Sequence, residues 1–498
     1  MIKKILTAFA LGFICSLGLF AFTAMADELD VRIYCSDAEG WNTEDLLDDD
    51  VTTTDYFMTG TTITIYSDDA PMTGLYIKWN SLPGEFTLTI NDKDYTYGKR
   101  DLLHEYIELP ESCDEATITI LDDYVFVSDI FAFSAGTLPD WVQTWEDPYD
   151  EADILVFSAH SDDEILFMGP VLSIYTDAGY RVQVAYLCNF YITEPNRRHE
   201  LLDGLWTSGI RHYPQLGRFK DEYSEDLETA KTLISDSDGE ASLDDVREYV
   251  VETIRRFKPQ VLVSHALNGE YGHGQHRLLA AMVSECIELA GDSSQFSSSA
   301  SKYGTWNVPK TYLHLYEENQ IILDTRAPLA SFGGKNAYEI AVEAYSKHVS
   351  QAWMWFKVSD GYDENGDPDE EKYAVNSCAV FGLYRTLAGD DTGNDMMENL
   401  VSYDEQESAV IIETQTQDGQ PGDTSQNSGE GTQQESPKSI SSLGKTLLII
   451  GIIVVVILLA LFITLLAVSA HKKKVRRAKA AARRARMRRI QELNRSKK

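Results

Sequence analysis

Cysteine is scarce in this chain, with six residues in 498. Cys15 lies in an apolar leader, which leaves Cys35, Cys113, Cys188, Cys286 and Cys378. So odd and scattered a set excludes a disulfide framework, although Cys35 and Cys113 could pair within one domain. Basic residues are also short: 43 Lys and Arg stand against 79 Asp and Glu, a formal charge of −36. That balance argues against nucleic acid or any other polyanion as a partner. No internal repeat is present. Long apolar runs are confined to the two ends, residues 5–23 and 446–468. A chain of this length exceeds one ordinary core, so two or more units are expected.

The ends set an expected topology. Lys3 and Lys4, the apolar run and Ala24-Met25-Ala26 read as a signal peptide over 1–26, cleaved before Asp27, with an uncleaved anchor as the alternative. Thr446 to Val468 is an uncharged run of 23 residues. As a helix it spans about 34 Å, enough to cross a bilayer core. The tail at 471–498 holds fourteen Lys and Arg against one Glu, a charge of +13 that leaves −49 on the rest. Positive residues stay on the cytoplasmic side. The expectation is a single-pass protein of the cell membrane, with its acidic body outside, one transmembrane helix at 446–468 and a basic cytoplasmic tail. The tail meets anionic lipid or simply stops transfer. Residues 404–442 are Gln, Asp, Thr, Ser and Gly rich and read as a flexible linker.

The middle of the chain divides in two. Over 28–137, short runs alternate in period two between turn residues, as in Thr62 to Tyr66, Leu75 to Trp79, Phe86 to Ile90, Thr117 to Leu121 and Ile130 to Ser134. Such spacing reads as an antiparallel β-sandwich. Over 148–395 the pattern changes to buried strands alternating with helices. The strands are Ile154 to Ser158, Val182 to Leu187, Val261 to Ser264 and Tyr312 to Leu315. The helices run Ile165 to Ala178, Arg197 to Ser208, Leu243 to Phe257, onward from about Gln275, and Lys335 to Trp355. This alternation implies a Rossmann-like, doubly wound, mostly parallel sheet, an α/β fold whose site lies at the carboxyl ends of the strands.

Two short segments fall at those ends: Ala159-His160-Ser161-Asp162-Asp163-Glu164 and Asn268-Gly269-Glu270-Tyr271-Gly272-His273-Gly274-Gln275-His276. A His-x-x-Asp turn after a strand can aim His160 and Asp163 at one metal, and His276 from another loop completes three ligands. Three protein ligands with one open position suit hydrolytic zinc. Asp162, between two ligands, can take a proton from water there. Either tetrapeptide alone is weak; their conjunction at two strand ends is specific.

These segments resemble the PIG-L/LmbE family of zinc N-acetylglucosaminide deacetylases. That family carries Ala-His-Pro-Asp-Asp-Glu after its first strand and Gly-x-Tyr-Gly-His-x-x-His after a later one. Further matches are Arg197-x-x-Glu200, Leu216-Gly217 with Asp221, and His348-x-Ser350-Gln351. The resemblance covers about residues 150–390. It implies Zn²⁺ on His160, Asp163 and His276, with Asp162 as general base. It further implies that His273 acts as acid or oxyanion donor, that Tyr271 bonds the oxyanion, and that Arg197 and Asp221 meet sugar hydroxyls. Glu164 reads as a supporting or helix-start carboxylate, and His348 stays open between packing and function. Ser161 replaces the usual Pro. Gln275 stands where many members have Asp, and is expected to leave His273 with a lower pKa. More loosely, Leu46 to Thr54 resembles the early turn of discoidin-like, galactose-binding-like sandwiches. That implies carbohydrate binding, with Trp41, Tyr56 or Trp79 as stacking residues; buried aromatics in a spacer domain are the alternative.

The expected activity is removal of N-acetyl groups from GlcNAc-type sugars or glycans outside the cell. The alternatives are a glycan-binding surface protein with a weak or inactive enzyme domain, and a zinc amidase for a non-glycan amide.

Overall fold

A computed structural model of the chain describes residues 24–36, 43–189, 195–351, 356–363, 365–369, 376–389 and 391–409. The leader before residue 24, Trp41, the linker beyond residue 409, the expected span and the basic tail lie outside the described residues. Among the described residues, no helix is long and apolar enough to cross a membrane. Residues 24–26, the end of the expected leader, pair with the sandwich. Ala26 N–H donates to Thr137 O at 2.8 Å, Thr137 N–H donates to Ala24 O at 2.9 Å, and the Ala26 side chain is buried.

Two five-stranded antiparallel sheets form the expected sandwich. One holds Glu28–Leu29, Val125–Phe133, Met72–Trp79 and His104–Cys113 in that order, with Asp55–Phe57 also on Val125–Phe133. The other runs Val31–Cys35, Thr62–Ser67, Glu115–Ile120, Phe86–Ile90, Lys93–Tyr97. Alternation fixes the faces: along Phe86–Ile90 the phenylalanine, leucine and isoleucine are buried and the two threonines half-buried. Trp79 is fully buried, its indole N–H 3.2 Å from Glu105, so it is a core residue and not a stacking platform. Cys35 and Cys113 are both free and buried. They sit on opposite sheets, Cys35 in register with Ile63 and Cys113 with Met72, and do not pair.

The α/β unit has one six-stranded sheet. Its order is Val182–Tyr186, Ile154–Ser158, Val261–Ser264, Lys310–His314, Val380–Thr386, Gln320–Ile322. The first four are parallel and the last two antiparallel. Every residue of the parallel four is buried, the mark of a sheet covered on both faces.

Three expected boundaries shift. The helix read over Ile165 to Ala178 is two, Asp163–Leu166 and Gly169–Asp177, because Pro170 opens the second. The helix read over Lys335 to Trp355 is Ala337–Tyr345, started by an Asn336/Glu339 capping box. Beyond its end Glu200 accepts the Ser350 N–H at 2.7 Å and the Ser350 hydroxyl at 2.6 Å. Residues 403–409, mostly assigned to the linker, are helical and belong to this unit: Tyr403 N–H donates to Asp153 at 2.8 Å, and Arg181 pairs with Asp404 and Glu407 at 2.6 and 2.8 Å.

The two units are joined by a buried polar seam. His104 Nε2 lies 2.8 Å from His199 Nδ1, Leu103 N–H donates to Tyr213 Oη at 3.2 Å, and Arg198 donates to Asn80 O at 2.8 Å. His199 and Arg198 sit on the helix Pro195–Thr207, which also carries Arg197.

Candidate metal centre

His160, Asp162 and Asp163 follow the first parallel strand directly. Asp162 has φ 100°, far outside the range L-residues favour, so the turn is strained where the two acids must diverge. Glu164, fully buried, accepts the Asp162 N–H at 3.0 Å and holds that turn. The second segment follows the third strand. Its backbone is left-handed at Tyr271 (φ 43°) and Gly272 (φ 85°), which turns His273 and His276 inward at the start of the helix Gly274–Leu289.

Three atoms converge. His160 Nδ1 lies 2.7 Å from Asp163 Oδ2 and 3.1 Å from His276 Nε2, and His276 Nε2 lies 2.9 Å from Asp163 Oδ2. Tetrahedral ligands about 2.0–2.2 Å from zinc stand about 3.3 Å from one another, so the trio needs only a slight opening.

Hydrogen-bond bookkeeping fixes which lone pairs point inward. Gln275 Oε1 accepts the Glu222 N–H at 3.1 Å while its amide nitrogen donates to Lys220 O at 2.9 Å, so the amide cannot be flipped. His160 Nε2, 2.7 Å from that Oε1, must therefore carry the proton, and Nδ1 is bare. His276 Nδ1 donates to Glu270 Oε2 at 2.8 Å, leaving Nε2 bare. The site thus faces two imidazole lone pairs and a carboxylate at one another, an arrangement only a cation relieves. With no metal, a proton fills that role. Burial pushes His276 down, but Asp163 and Glu270 outweigh it and raise its pKa to about 9.

Two other groupings could hold an ion, His160 with His273 and His276, and Asp163 with His265 and His276. Both fail the same bookkeeping. Ala159 N–H donates to His265 Nε2 at 2.9 Å, while His265 Nδ1 meets Glu270 at 2.8 Å, so neither nitrogen is free. Gln275 N–H donates to His273 Nδ1 at 3.3 Å, which puts the His273 proton on Nε2.

The remaining residues surround this trio. Burial first, then the Asp163 charge, raises Asp162 to about 7, while Arg197 and His160 oppose the rise. Arg197 donates to Asp162 Oδ1 at 3.1 Å, Asp221 Oδ2 at 3.0 Å and Ser161 O at 2.7 Å, and is buried. Asp221 also lies 3.4 Å from His160 Nε2. The His273 ring is 4.7 Å from that of His160, and burial with the neighbouring imidazoles lowers its pKa to about 2. Tyr271 is 43% exposed, edge-on to His276 at 5.3 Å and against Phe356 at 4.5 Å.

Gln275 does not act as expected. Its side chain turns from His273 toward His160, so the low His273 value comes from burial and adjacent imidazoles instead. His348 is buried and packs over Gly204, where a Cβ would lie 2.8 Å from its Nε2. Sequence reasoning missed a carboxylate hub. Glu270, fully buried, lies 2.8 Å from His265, 2.8 Å from His276 and 2.6 Å from His314, and accepts the Ala266 N–H at 3.0 Å. The signal was available: His265 directly follows the third strand and His314 ends the fourth.

Residues 155–287 match the family model described as PIG-L, GlcNAc-PI de-N-acetylase. A 1D-myo-inositol 2-acetamido-2-deoxy-alpha-D-glucopyranoside deacetylase from Kineococcus radiotolerans is 26% identical over 211 residues, 37% of this chain and 57% of its own length. One from Catenulispora acidiphila is 25% identical over 213 residues, 38% of this chain and 64% of its own. The chain thus spans about three fifths of these relatives. Among solved structures, N,N'-diacetylchitobiose deacetylase from Pyrococcus horikoshii has 17% identity and a TM-score of 0.31, over 41% of this chain and 72% of that one. Residues 155–287 of this chain form a PIG-L domain.

Proposed function

We propose that this chain is a zinc-dependent N-deacetylase acting on GlcNAc-type sugars or glycans. The observation that carries the reading is the convergence of His160 Nδ1, Asp163 Oδ2 and His276 Nε2 beside a strained, buried Asp162. The family model's description and the acetamido-sugar names of the two relatives support the substrate class.

Zinc held by those three residues supplies Lewis acidity and an activated water. The chain's own residues do the rest. Asp162, near 7 and oriented by Arg197, takes a proton at its carboxylate. His273 carries its proton on Nε2, and its ring stands 4.7 Å from that of His160. Tyr271 offers a phenol to an amide oxygen that gains charge. Asp221, whose side chain is 26% exposed, meets a sugar hydroxyl, and Arg197 fixes Asp162 and Asp221 together.

The setting belongs to the same proposal. The apolar leader, the uncharged run at 446–468 and the +13 tail support a single-pass protein of the cell membrane with the enzyme outside. Protease added to intact cells is expected to remove the acidic body and spare the tail; a protected body overturns that topology. The activity is tested by amine release from a panel of N-acetylated sugars and glycans, after chelation and after zinc is restored. Zinc-dependent release is the expected result, and no release by zinc-loaded protein from any acetamido sugar overturns the reading.

A further inference from the structure

We propose that Tyr223 forms the wall of a second sugar subsite, stacking on the ring joined to the one whose acetamide is hydrolysed. This rests on the deacetylase reading and adds to it that the reacting sugar belongs to an uncharged glycan.

Tyr223 lies in the non-helical stretch that carries Asp221. Contacts show the side chains alternating there. Asp221 points to the metal centre, 3.4 Å from His160 Nε2 and 3.0 Å from Arg197. Glu222 points away, its carboxylate 3.5 Å from the Ser235 hydroxyl. Tyr223 points back, its ring 5.3 Å from that of His273 and nearly perpendicular to it. The His273 ring in turn stands 4.7 Å from His160 and 4.6 Å from His276, two of the proposed zinc ligands. Tyr223 is thus one ring removed from the ligands, on the strand of chain that supplies Asp221. Tyr271 approaches His273 from its own loop, at 5.7 Å, and leans on His276 and Phe356.

The Tyr223 side chain is 67% exposed, yet its backbone is fixed at both neighbours. Glu222 N–H donates to Gln275 Oε1 at 3.1 Å, and Ser224 O accepts the Gly274 N–H at 2.7 Å. Ser224 is buried against Gly274, where a Cβ would lie 1.9 Å from its Oγ. Both ties reach the start of the helix that carries His276. A lone exposed aromatic ring needs no explanation elsewhere on a surface. Here the backbone that carries it is tied to the metal centre before any ligand arrives, as a preformed binding wall requires.

Position and charge name the ligand. Asp221 meets the reacting sugar, so a residue two positions along the same side meets what that sugar is joined to. An exposed aromatic ring suits the C–H face of a pyranose, whose hydroxyls stay in water. Asp221, Glu222, Glu225 and Asp226 flank Tyr223 in the sequence. So acidic a stretch repels a phosphate on the attached group and accepts an uncharged sugar.

The test uses the full, zinc-loaded chain with the β-1,4-linked GlcNAc dimer and with GlcNAc monomer, zinc content being measured for every variant. Wild type is expected to prefer the dimer. Tyr223→Ala is expected to lower the dimer-to-monomer ratio of kcat/KM about tenfold, through KM for the dimer. Tyr223→Trp is expected to keep the ratio, because the ring and not the hydroxyl makes the contact. A residue that only packs His273 would slow both substrates alike. An unchanged ratio in the alanine variant overturns the proposal, as does a wild type without preference for the dimer. If the monomer is not turned over, the dimer alone decides: raised KM at constant kcat upholds the subsite, and lowered kcat at constant KM overturns it. If wild-type protein releases no amine from either sugar, the deacetylase reading falls and calorimetric titration with the dimer decides. Affinity reduced about tenfold in the alanine variant and kept in the tryptophan variant upholds the subsite. Equal affinity in the alanine variant, or no binding by wild type, ends the proposal.

Discussion

Replacing Gln275 by leucine is expected to weaken zinc binding without touching a ligand. The side chain makes contacts with His160 Nε2 at 2.7 Å, Glu222 N–H at 3.1 Å and Lys220 O at 2.9 Å. Leucine fills similar space and makes none of them. His160 is then left with Asp221 at 3.4 Å as its Nε2 partner, a longer contact that orients the ring and its Nδ1 lone pair less firmly. Losing such an orienting partner costs roughly 10–100-fold in metal affinity, about 1.4–2.7 kcal/mol. Glu222 N–H and Lys220 O also lose their partner, which costs about 1–3 kcal/mol of stability for each group left buried. Gln275→Glu separates the two effects. It keeps an acceptor for His160 and Glu222 and loses only the donor to Lys220, so zinc affinity should hold while stability falls. The assay is chelator-competition titration of zinc into the metal-free chain, paired with urea unfolding of the same samples. Leucine and wild type binding zinc equally would refute the tautomer argument. A leucine chain that is less stable yet binds zinc normally would assign Gln275 to packing alone.

Asp162→Asn should keep its zinc and lose about 10²–10⁴-fold in turnover, read from zinc content and amine release together; a metal-replete variant at near-normal rate removes Asp162 as the base. Glu270→Gln replaces a carboxylate that meets three imidazoles. It should cost about 3–5 kcal/mol in urea unfolding and weaken zinc roughly 10–100-fold, and wild-type values in both would refute the hub. The interdomain seam should be acid-sensitive. Burial, with Lys78 nearby, lowers His104 from 6.5 to about 4. The unfolded chain therefore takes up this proton first as pH falls. The associated stability is full above pH 6.5 and is lost progressively toward pH 4, up to about 3 kcal/mol. Urea unfolding across that window should show the slope in wild type and a flatter one in His104→Gln; parallel slopes would refute it.

Much of this was legible because burial and periodicity coincide. The strands Ile154–Ser158 and Phe86–Ile90 and the helix Leu243–Phe257 keep the bounds their patterns predict. His160 and Asp163 come just past one apolar strand, and His276 opens the helix that follows the loop after its neighbour in the sheet. What periodicity cannot reveal is which way a side chain turns within a loop. Gln275 is two residues from His273 in sequence, yet in the first turn of its helix it faces the Lys220–Glu222 segment, brought there by tertiary packing. Likewise, the pattern from Lys335 to Trp355 reads as one long helix, whereas the helix is Ala337–Tyr345 and Ser350 beyond it meets Glu200, 150 residues away in sequence.

The Glu270 hub also constrains how the protein is made. His314, bound to Glu270 through one nitrogen, reaches Ser377 O at 2.9 Å through the other. The support of a metal ligand in the second segment thus depends on residues a hundred positions further along the chain. A polypeptide still emerging from the ribosome cannot close this ring until residue 377 has appeared, and contacts so distant in sequence form late. Firm capture of the proposed zinc would then wait for residue 377, and a product terminated before it would compete poorly for scarce zinc.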